Sequence, residues 1–400
     1  MYIILVKNMV QNLVNEELEN YIISMRRHFH ENPELSFQEK ETFVRLKEEL
    51  EKMGLKVTEV PNGGLYADIT GGGKGRTVAL RADVDALPVT EENTFKFVSR
   101  NKGVMHACGH DAHMAMLLGV AKMLLANRNE LKGTFRLMFQ AAEEKPPGGA
   151  ISLIKAGVLR DVDYVIGQHV MTRSQTGTIA SFPKEAMAYA DEFRVKIHGK
   201  GGHGSAPQET IDALVIATQY VNAAQTIVSR MTGPFDPSVV TFGTLNSGYR
   251  YNIIAAHAEM TGTVRTFDRN VQKKIRGELE KILAGICSSF GAHYDFEYIE
   301  GYPALINHES VTKVIEEAAT EVLGKGRIIH PNPDMGGEDF AYYVKEKPGS
   351  FYFLGVGNSD KGIDSPQHSP TYTVDESALK NGTEIFYRAA AKLAGMQGHP

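Results

Sequence analysis

The densest concentration of ligand-type side chains is VMHACGHDAH, residues 104–113, with three histidines, one cysteine and one aspartate. Imidazole nitrogen, thiolate and carboxylate are the groups that hold zinc-like divalent ions, and Cys108 and His110, separated by one residue, can turn to the same side. A histidine-rich helix cap around an ordinary buried cysteine is the plainer alternative. Glu143 and Glu144 follow the apolar run LMFQAA, which argues against a freely solvated loop. Neighbouring carboxylates there can point different ways, one toward a cation and one toward a substrate. His169 follows the apolar stretch Tyr164 to Gly167, where a lone histidine is more often structural. His368 sits in SPQHSP, whose prolines stiffen the loop, and His203 sits in the glycine-rich GKGGHGSAP, where a solvated turn histidine is equally ordinary.

The elements that must position these residues alternate in kind. Helical patterns at 16–30 and 37–53 precede strand patterns at Lys56–Val60, Leu65–Thr70 and Thr77–Asp83. Met114, Leu117, Leu118, Ala121 and Leu125 make an amphipathic stripe that predicts a helix burying one face against a sheet. Strand Thr134–Gln140, helix Gly148–Ala156 and strand Asp163–Gly167 follow, the alternation of a sheet covered on both faces. Glu143, Glu144 and His169 then fall at the carboxyl edge, where open α/β sheets carry their sites.

Near Ala190 the pattern changes. Strand Glu192–His198, helix Thr210–Arg230, strands Ser238–Leu245 and Asn252–Arg265, helix Asn270–Phe290 and strand His293–Ile299 spell the β-α-β-β-α-β unit of ferredoxin-like domains. Alternation resumes with helix Glu309–Leu323, strand Ser350–Leu354 and helix Glu376–Leu393. The expected fold is α/β: a three-layer α/β/α domain over 1–188 and 301–400, with a ferredoxin-like α+β domain inserted at 189–300.

Four hundred residues suit two domains on a prior of about 150 residues each. With 43 basic against 48 acidic residues and no basic block, the chain has no footprint for nucleic acid. Two cysteines make no disulfide framework. The run Tyr2–Val6 lacks a preceding charge and a cleavage site, and nothing approaches the ~20 apolar residues of a membrane span. The expectation is a soluble cytoplasmic protein.

Taken together, RRHFHENPELSFQE from Arg26, LRADVDALP from Leu80, GVMHACGHDAHMAMLLG from Gly103, FQAAEE from Phe139, GQHV from Gly167, HGKGGHGSAP from His198, GTVR from Gly262 and MGGEDF from Met335 resemble one metallopeptidase family. It is the family of aminoacylases, hippurate hydrolases, indole-acetyl-amino-acid hydrolases and related carboxypeptidases. The resemblance implies two divalent metal ions per subunit, zinc before manganese, nickel or cobalt, held by Cys108, His110, Glu144, His169 and His368, with Cys108 bridging. It implies that the three-layer domain is the catalytic one and the inserted domain a lid and dimerisation domain, with Glu143 as general acid/base and His203 of the lid as an oxyanion donor, in cis or across a homodimer or higher homo-oligomer formed through the lid. Asp83 and Asp111 are expected to orient ligand imidazoles, and Asn252 and Arg265 to grip a substrate carboxylate. Where the wider clan has a ligand histidine this chain has Arg81, as in the cysteine-containing branch; Ala141 replaces the usual proline and Gln168 a usual apolar residue.

The function so implied is metal-dependent hydrolysis of the amide bond in small N-acyl amino acids or short peptides with a free C-terminal carboxylate. A metal-free cysteine amidase built on Cys108 is the competing enzyme class, and a non-catalytic binding protein on the same fold is a third.

Overall fold

The computed structural model describes residues 13–396, so the run Tyr2–Val6 lies outside the described residues. Two compact units emerge. The first takes in the chain up to Ala186, Ile306–Asn332 and everything from Asp339; the second is Met187–Leu305 with Pro333–Glu338. That last segment lies past the predicted insert. It joins the second unit because the Ala188 N–H donates to the Gly336 carbonyl at 3.0 Å.

The first unit runs α1 (Glu16–Glu31), α2 (Lys40–Lys52), β1 (Val57–Val60), β2 (Gly64–Thr70), β3 (Gly73–Asp83), α3 (His110–Ala126), β4 (Lys132–Gln140), α4 (Ala150–Lys155), β5 (Tyr164–Gln175) and β6 (Ile179–Ala180). In the second unit come β7 (Tyr189–His198), α5 (Ala213–Thr226), β8 (Ser238–Ser247), β9 (His257–Thr266), α6 (Arg269–Phe290) and β10 (His293–Tyr302). The first unit is completed by α7 (Glu309–Leu323), β11 (Ile328–Ile329), α8 (Ala341–Glu346), β12 (Gly349–Gly357) and α9 (Leu379–Gly395).

An eight-stranded sheet in the order β1-β2-β4-β3-β5-β12-β6-β11 is the centre of the first unit. Its middle four strands, β4-β3-β5-β12, are parallel. They are buried on both faces, and β12 is buried at every position, as the continuous apolar run FYFLGVG requires. Helices α1, α3, α7 and α9 form one covering layer. On the other face lie α4 and α8, where Phe340 at the start of α8 packs on Phe351 of β12 with ring centroids 5.0 Å apart. This is the expected α/β sandwich.

One expectation about α3 changes. The stripe predicted one buried face, yet from His110 to Leu124 only Lys122 is exposed. The reason is the neighbouring helices: α1 and α9 both pack against α3, and α9 also lies on β3 and β4 beside it, while Ala112, Ala115, Met116 and Gly119 supply the small or apolar surface they need. A Cβ at Gly119 would meet Ile22 of α1 at 2.8 Å.

The second unit is the β-α-β-β-α-β domain. Its four strands are antiparallel in the order β8-β9-β7-β10, with α5 and α6 covering one face through Phe193, Val195, Ile197, Ile216, Tyr220, Ile275 and Leu279. Asn252 and Arg265, expected at the two ends of one strand, do not share one: β9 begins only at His257. Ile253–Ile254 pairs with Gly202–His203 instead, which leaves Asn252 in the preceding turn, its carbonyl accepting the Gly204 N–H at 2.9 Å.

Asp375 shows how the loop after β12 is tied down. Its carboxylate caps the turn Glu376–Ala378 that leads into α9 and accepts from Asn358 (2.6 Å), Lys361 (2.9 Å) and Ser377 Oγ (2.9 Å). Although burial works the other way, these donors lower its pKa from 3.8 to about 2. A depressed carboxylate contributes stability that is present above its ordinary value and lost as pH falls through about 2. Asp375→Ala is therefore expected to cost about 1 kcal/mol at neutral pH, with the difference from wild type vanishing in strong acid; urea unfolding at both pH values checks this.

Candidate metal centre

Four loops and strand ends bring the proposed ligands together at the carboxyl edge of the sheet. Cys108 precedes α3 and His110 begins it. Between them Gly109 has φ 97°, and a Cβ there would lie 2.3 Å from Val170 Cγ2 and 2.8 Å from the Tyr372 hydroxyl, so only glycine fits. His169 comes from β5 and Glu144 from the loop after β4. His368 adopts φ 67° in its proline-flanked loop, and its N–H donates to the Ala107 carbonyl at 2.7 Å.

The ligand atoms of Cys108, His110 and His169 lie within 4.8 Å of one another, as do those of Cys108, Glu144 and His368, and those of His110, Glu143 and Glu144. Cys108 Sγ is 3.4 Å from His169 Nε2, and Glu144 Oε1 is 3.4 Å from His368 Nε2 and 4.0 Å from His110 Nε2. Hydrogen bonding fixes which ring nitrogen faces inward. His110 Nδ1 donates to the Asp85 carbonyl at 2.8 Å and His169 Nδ1 to the Val170 carbonyl at 2.7 Å, so each presents an Nε2 lone pair to the cluster. His110 Nε2 and Glu144 Oε1 are buried polar atoms with no hydrogen bond, which a folded protein tolerates rarely.

The charge balance points the same way. Burial, reinforced by Glu144, Glu143 and Asp83, pushes the Cys108 thiol well above its ordinary range. Burial opposes protonation of His110, but Asp83, Asp85 and Glu144 outweigh it and raise the ring to about 10. Burial, with His113 and His110 alongside, drives His169 well down. The cluster is a buried site with more negative than positive potential, and a divalent cation among these donors reverses that logic and favours thiolate and neutral imidazole. The donor set of nitrogen, sulfur and oxygen fits such an ion.

Of the three histidines in the 104–113 segment, His110 has its unsatisfied nitrogen among these donors, whereas His106 is buried with neither ring nitrogen hydrogen-bonded and lies outside the ligand groups. His113 donates from Nδ1 to Asp83 Oδ1 (2.5 Å) and accepts at Nε2 from the Val170 N–H (2.9 Å), so both of its nitrogens are used. It braces the strand residue next to His169.

Asp83 holds His113 and lies 3.6 Å from His110 Nε2. Asp111 is a correction. Its carboxylate contacts Arg26 Nε (3.0 Å) and His30 Nδ1 (2.7 Å), not a ligand imidazole, because one residue along a helix turns the side chain by about 100° away from His110. The imidazole-orienting acid that the sequence reading missed is Asp85. Besides its carbonyl bond to His110, its carboxylate accepts the Glu143 and Glu144 N–H groups, both at 3.1 Å, and the Ser36 hydroxyl at 2.7 Å. Glu39 adds a second hold on the same loop: its carboxylate, raised by burial to about 7, accepts the Ala142 N–H at 2.8 Å. Ala142 has φ 54°, a left-handed conformation that costs a non-glycine residue roughly 1–2 kcal/mol. That cost is met by anchoring on both sides and aims buried Glu143 beside the ligands. The DxD pattern of Arg81–Asp85 and the i, i+3 spacing of His110 and His113 were the available signals for these helpers.

The remaining predicted residues are in the second unit. His203 is exposed on the short strand paired with Ile253, and its Nδ1 accepts the Ser205 N–H at 3.2 Å, which leaves the proton on Nε2. Arg265, on β9, donates from Nη1 to the Asp191 carbonyl at 3.3 Å and to the Thr263 hydroxyl.

A carboxylate beside a cluster of cation ligands is the equipment of metal-dependent amide hydrolysis. The model of peptidase family M20/M25/M40 matches residues 79–392, and the chain belongs to that family. It is 42% identical to thermostable carboxypeptidase 2 of Saccharolobus solfataricus over 97% of this chain and 99% of that protein. It is 39% identical to N-acetyl-L-cysteine deacetylase of Bacillus subtilis over 94% of this chain and 89% of the relative. Among solved structures, the Bacillus subtilis YXEP protein, described as a dinuclear metal-binding peptidase, superimposes with a TM-score of 0.83 at 34% identity, covering 95% of this chain and 99% of that one.

Proposed function

We propose that this enzyme hydrolyses the amide bond of N-acyl amino acids or short peptides that carry a free C-terminal carboxylate. The observation that carries the reading is the convergence of Cys108, His110, Glu144, His169 and His368 around two unsatisfied buried atoms, with Glu143 on the same loop as Glu144. These five would hold two divalent ions, zinc by preference for such a nitrogen, sulfur and oxygen set. When bound, the ions polarise the scissile carbonyl and the attacking water.

The chain's own groups do the rest. Glu143 accepts the water proton at its carboxylate and delivers it to the departing amine nitrogen. Asp85 keeps that carboxylate in place by accepting both backbone N–H groups of the Glu143–Glu144 pair. His110 and His169 would hold the ions through Nε2, since Nδ1 of each is committed to a backbone oxygen. His203 offers Nε2–H to the developing oxyanion, and Asn252 and Arg265 bind the substrate carboxylate, a pairing to which the Arg fork is suited. Cys108 as nucleophile is disfavoured, since burial and three neighbouring carboxylates raise the thiol, the reverse of activation. The working form is a homodimer through the second unit, in the cytoplasm.

Chelation should abolish turnover of N-acetyl, N-benzoyl and N-blocked dipeptide substrates, and two equivalents of zinc should restore it. Rates measured across that panel decide the substrate class. Full activity of the metal-free protein would overturn the proposal in favour of the cysteine amidase.

A further inference from the structure

The second unit carries another row of imidazoles, apart from the ligand cluster. On the antiparallel sheet, His198 of β7 is the direct partner of His257 on β9 and, on its other side, of His293 on β10. Side chains alternate along a strand. Phe193, Val195 and Ile197 of β7, with Ala258 and Met260 of β9, face the helices, so His198, His257 and His293 all project from the opposite, solvent-facing side. Three histidines thus stand side by side across three adjacent strands, and directly opposite residues have Cβ atoms about 4.5–5.5 Å apart.

The row has the features of a transition-metal site. The rings of His198 and His257 meet edge to face with centroids 5.4 Å apart. His198 Nε2 is 2.8 Å from Asp295 Oδ2, so Nε2–H donates to the carboxylate and Nδ1 keeps its lone pair. A carboxylate fixing the tautomer of a histidine in this way is the usual support of a metal-ligating imidazole. His257 and His293 are exposed, so their rings turn about χ1 and χ2 without repacking the core. The neighbouring cation, Lys196, is paired to Glu259 at 2.7 Å. Three imidazoles with an acidic support suit zinc, copper or nickel and not the oxygen-seeking magnesium or calcium.

We propose that His198, His257 and His293, supported by Asp295, form a transition-metal site on the outer face of the second unit that staples β9, β7 and β10 together. Because an ion bound only to the folded sheet stabilises it by mass action, the site makes the melting temperature depend on zinc concentration.

The test uses the full chain with its other metal sites saturated. In equilibrium dialysis against Zn2+ near neutral pH, wild type should retain one equivalent more than the double variant His257→Gln, His293→Gln. Asp295→Asn should keep that equivalent but bind it about 10–100-fold more weakly, a loss that a purely structural surface aspartate would not produce. Circular dichroism and melting in chelator, equal to wild type, establish that the variants fold. Equal stoichiometry in wild type and the double variant, or unchanged affinity in Asp295→Asn, would overturn the proposal.

Discussion

Glu143→Gln should lower kcat by about 10²–10⁴ while KM and metal content stay near wild type, because the amide keeps the shape of the side chain but cannot take up a proton. The two backbone N–H groups that fix this loop bond to Asp85, not to the Glu143 side chain, so the substitution leaves the ligands where they are. The split matters: a mutation that displaced Glu144 or His110 would lower metal content along with rate. Steady-state kinetics combined with metal analysis of the same preparation separates the two outcomes. A variant with wild-type turnover would remove Glu143 from its role, and one that loses metal would make it a ligand.

The second large effect is expected at Arg81 of β3, whose partner on β5 is Gly167, two residues before His169. Its guanidinium is completely buried and donates to Asp83 Oδ2 (2.6 Å), Asp339 Oδ1 (2.8 Å) and Gln140 Oε1 (3.0 Å). Burial pushes Asp339 up to about 6 in spite of Arg81, while Asp83 is held well down against its own burial, chiefly by Arg81 and then by His110 and His113. Arg81→Met removes the shared counter-charge of two buried carboxylates, and breaking a buried ion pair from one side costs about 3–5 kcal/mol. Denaturant unfolding should show a loss of that size, with Arg81→Lys recovering part of it because the charge remains but the fork does not. A loss below about 1 kcal/mol would mean that the two aspartates are neutral in the fold. Since Asp83 also receives His113, which in turn accepts the N–H beside His169, the surviving folded fraction should bind metal less tightly.

Much of this arrangement was legible in the residues themselves. Alternating apolar patterns gave the sheet and the change of regime near Ala190, since strand and helix periods differ regardless of context. Ligand types could be named from chemistry, and the loop character of Cys108, Glu144 and His368 from glycine, alanine and proline neighbours. What escaped was what depends on direction. Asp111 and His110 are adjacent in sequence but diverge because a helix begins between Gly109 and His110. Asp85 was passed over because a carboxylate that bonds backbone N–H groups has no sequence signature beyond its type. The helix from His110 reads as amphipathic because Met114, Leu117, Leu118, Ala121 and Leu125 fall on one stripe, while the helices that bury the rest of it are remote in sequence. Asn252 was joined to Arg265 because β-branched and apolar residues run between them, and nothing local marks where a strand leaves one sheet for a two-residue pairing with Gly202–His203.

The separation of the ligands along the chain also bears on how the enzyme is made. Cys108, His110, Glu144 and His169 are all synthesised before the second unit begins, but His368 follows both the whole of that unit and β12, the strand that lies against β5 in register with His169. A nascent chain on the ribosome therefore carries an incomplete set of donors during most of translation, and the sheet edge that holds them lacks its neighbour. If these residues are the ligands, tight metal binding requires a chain made through residue 368, and a fragment that stops before β12 should bind the ions only weakly.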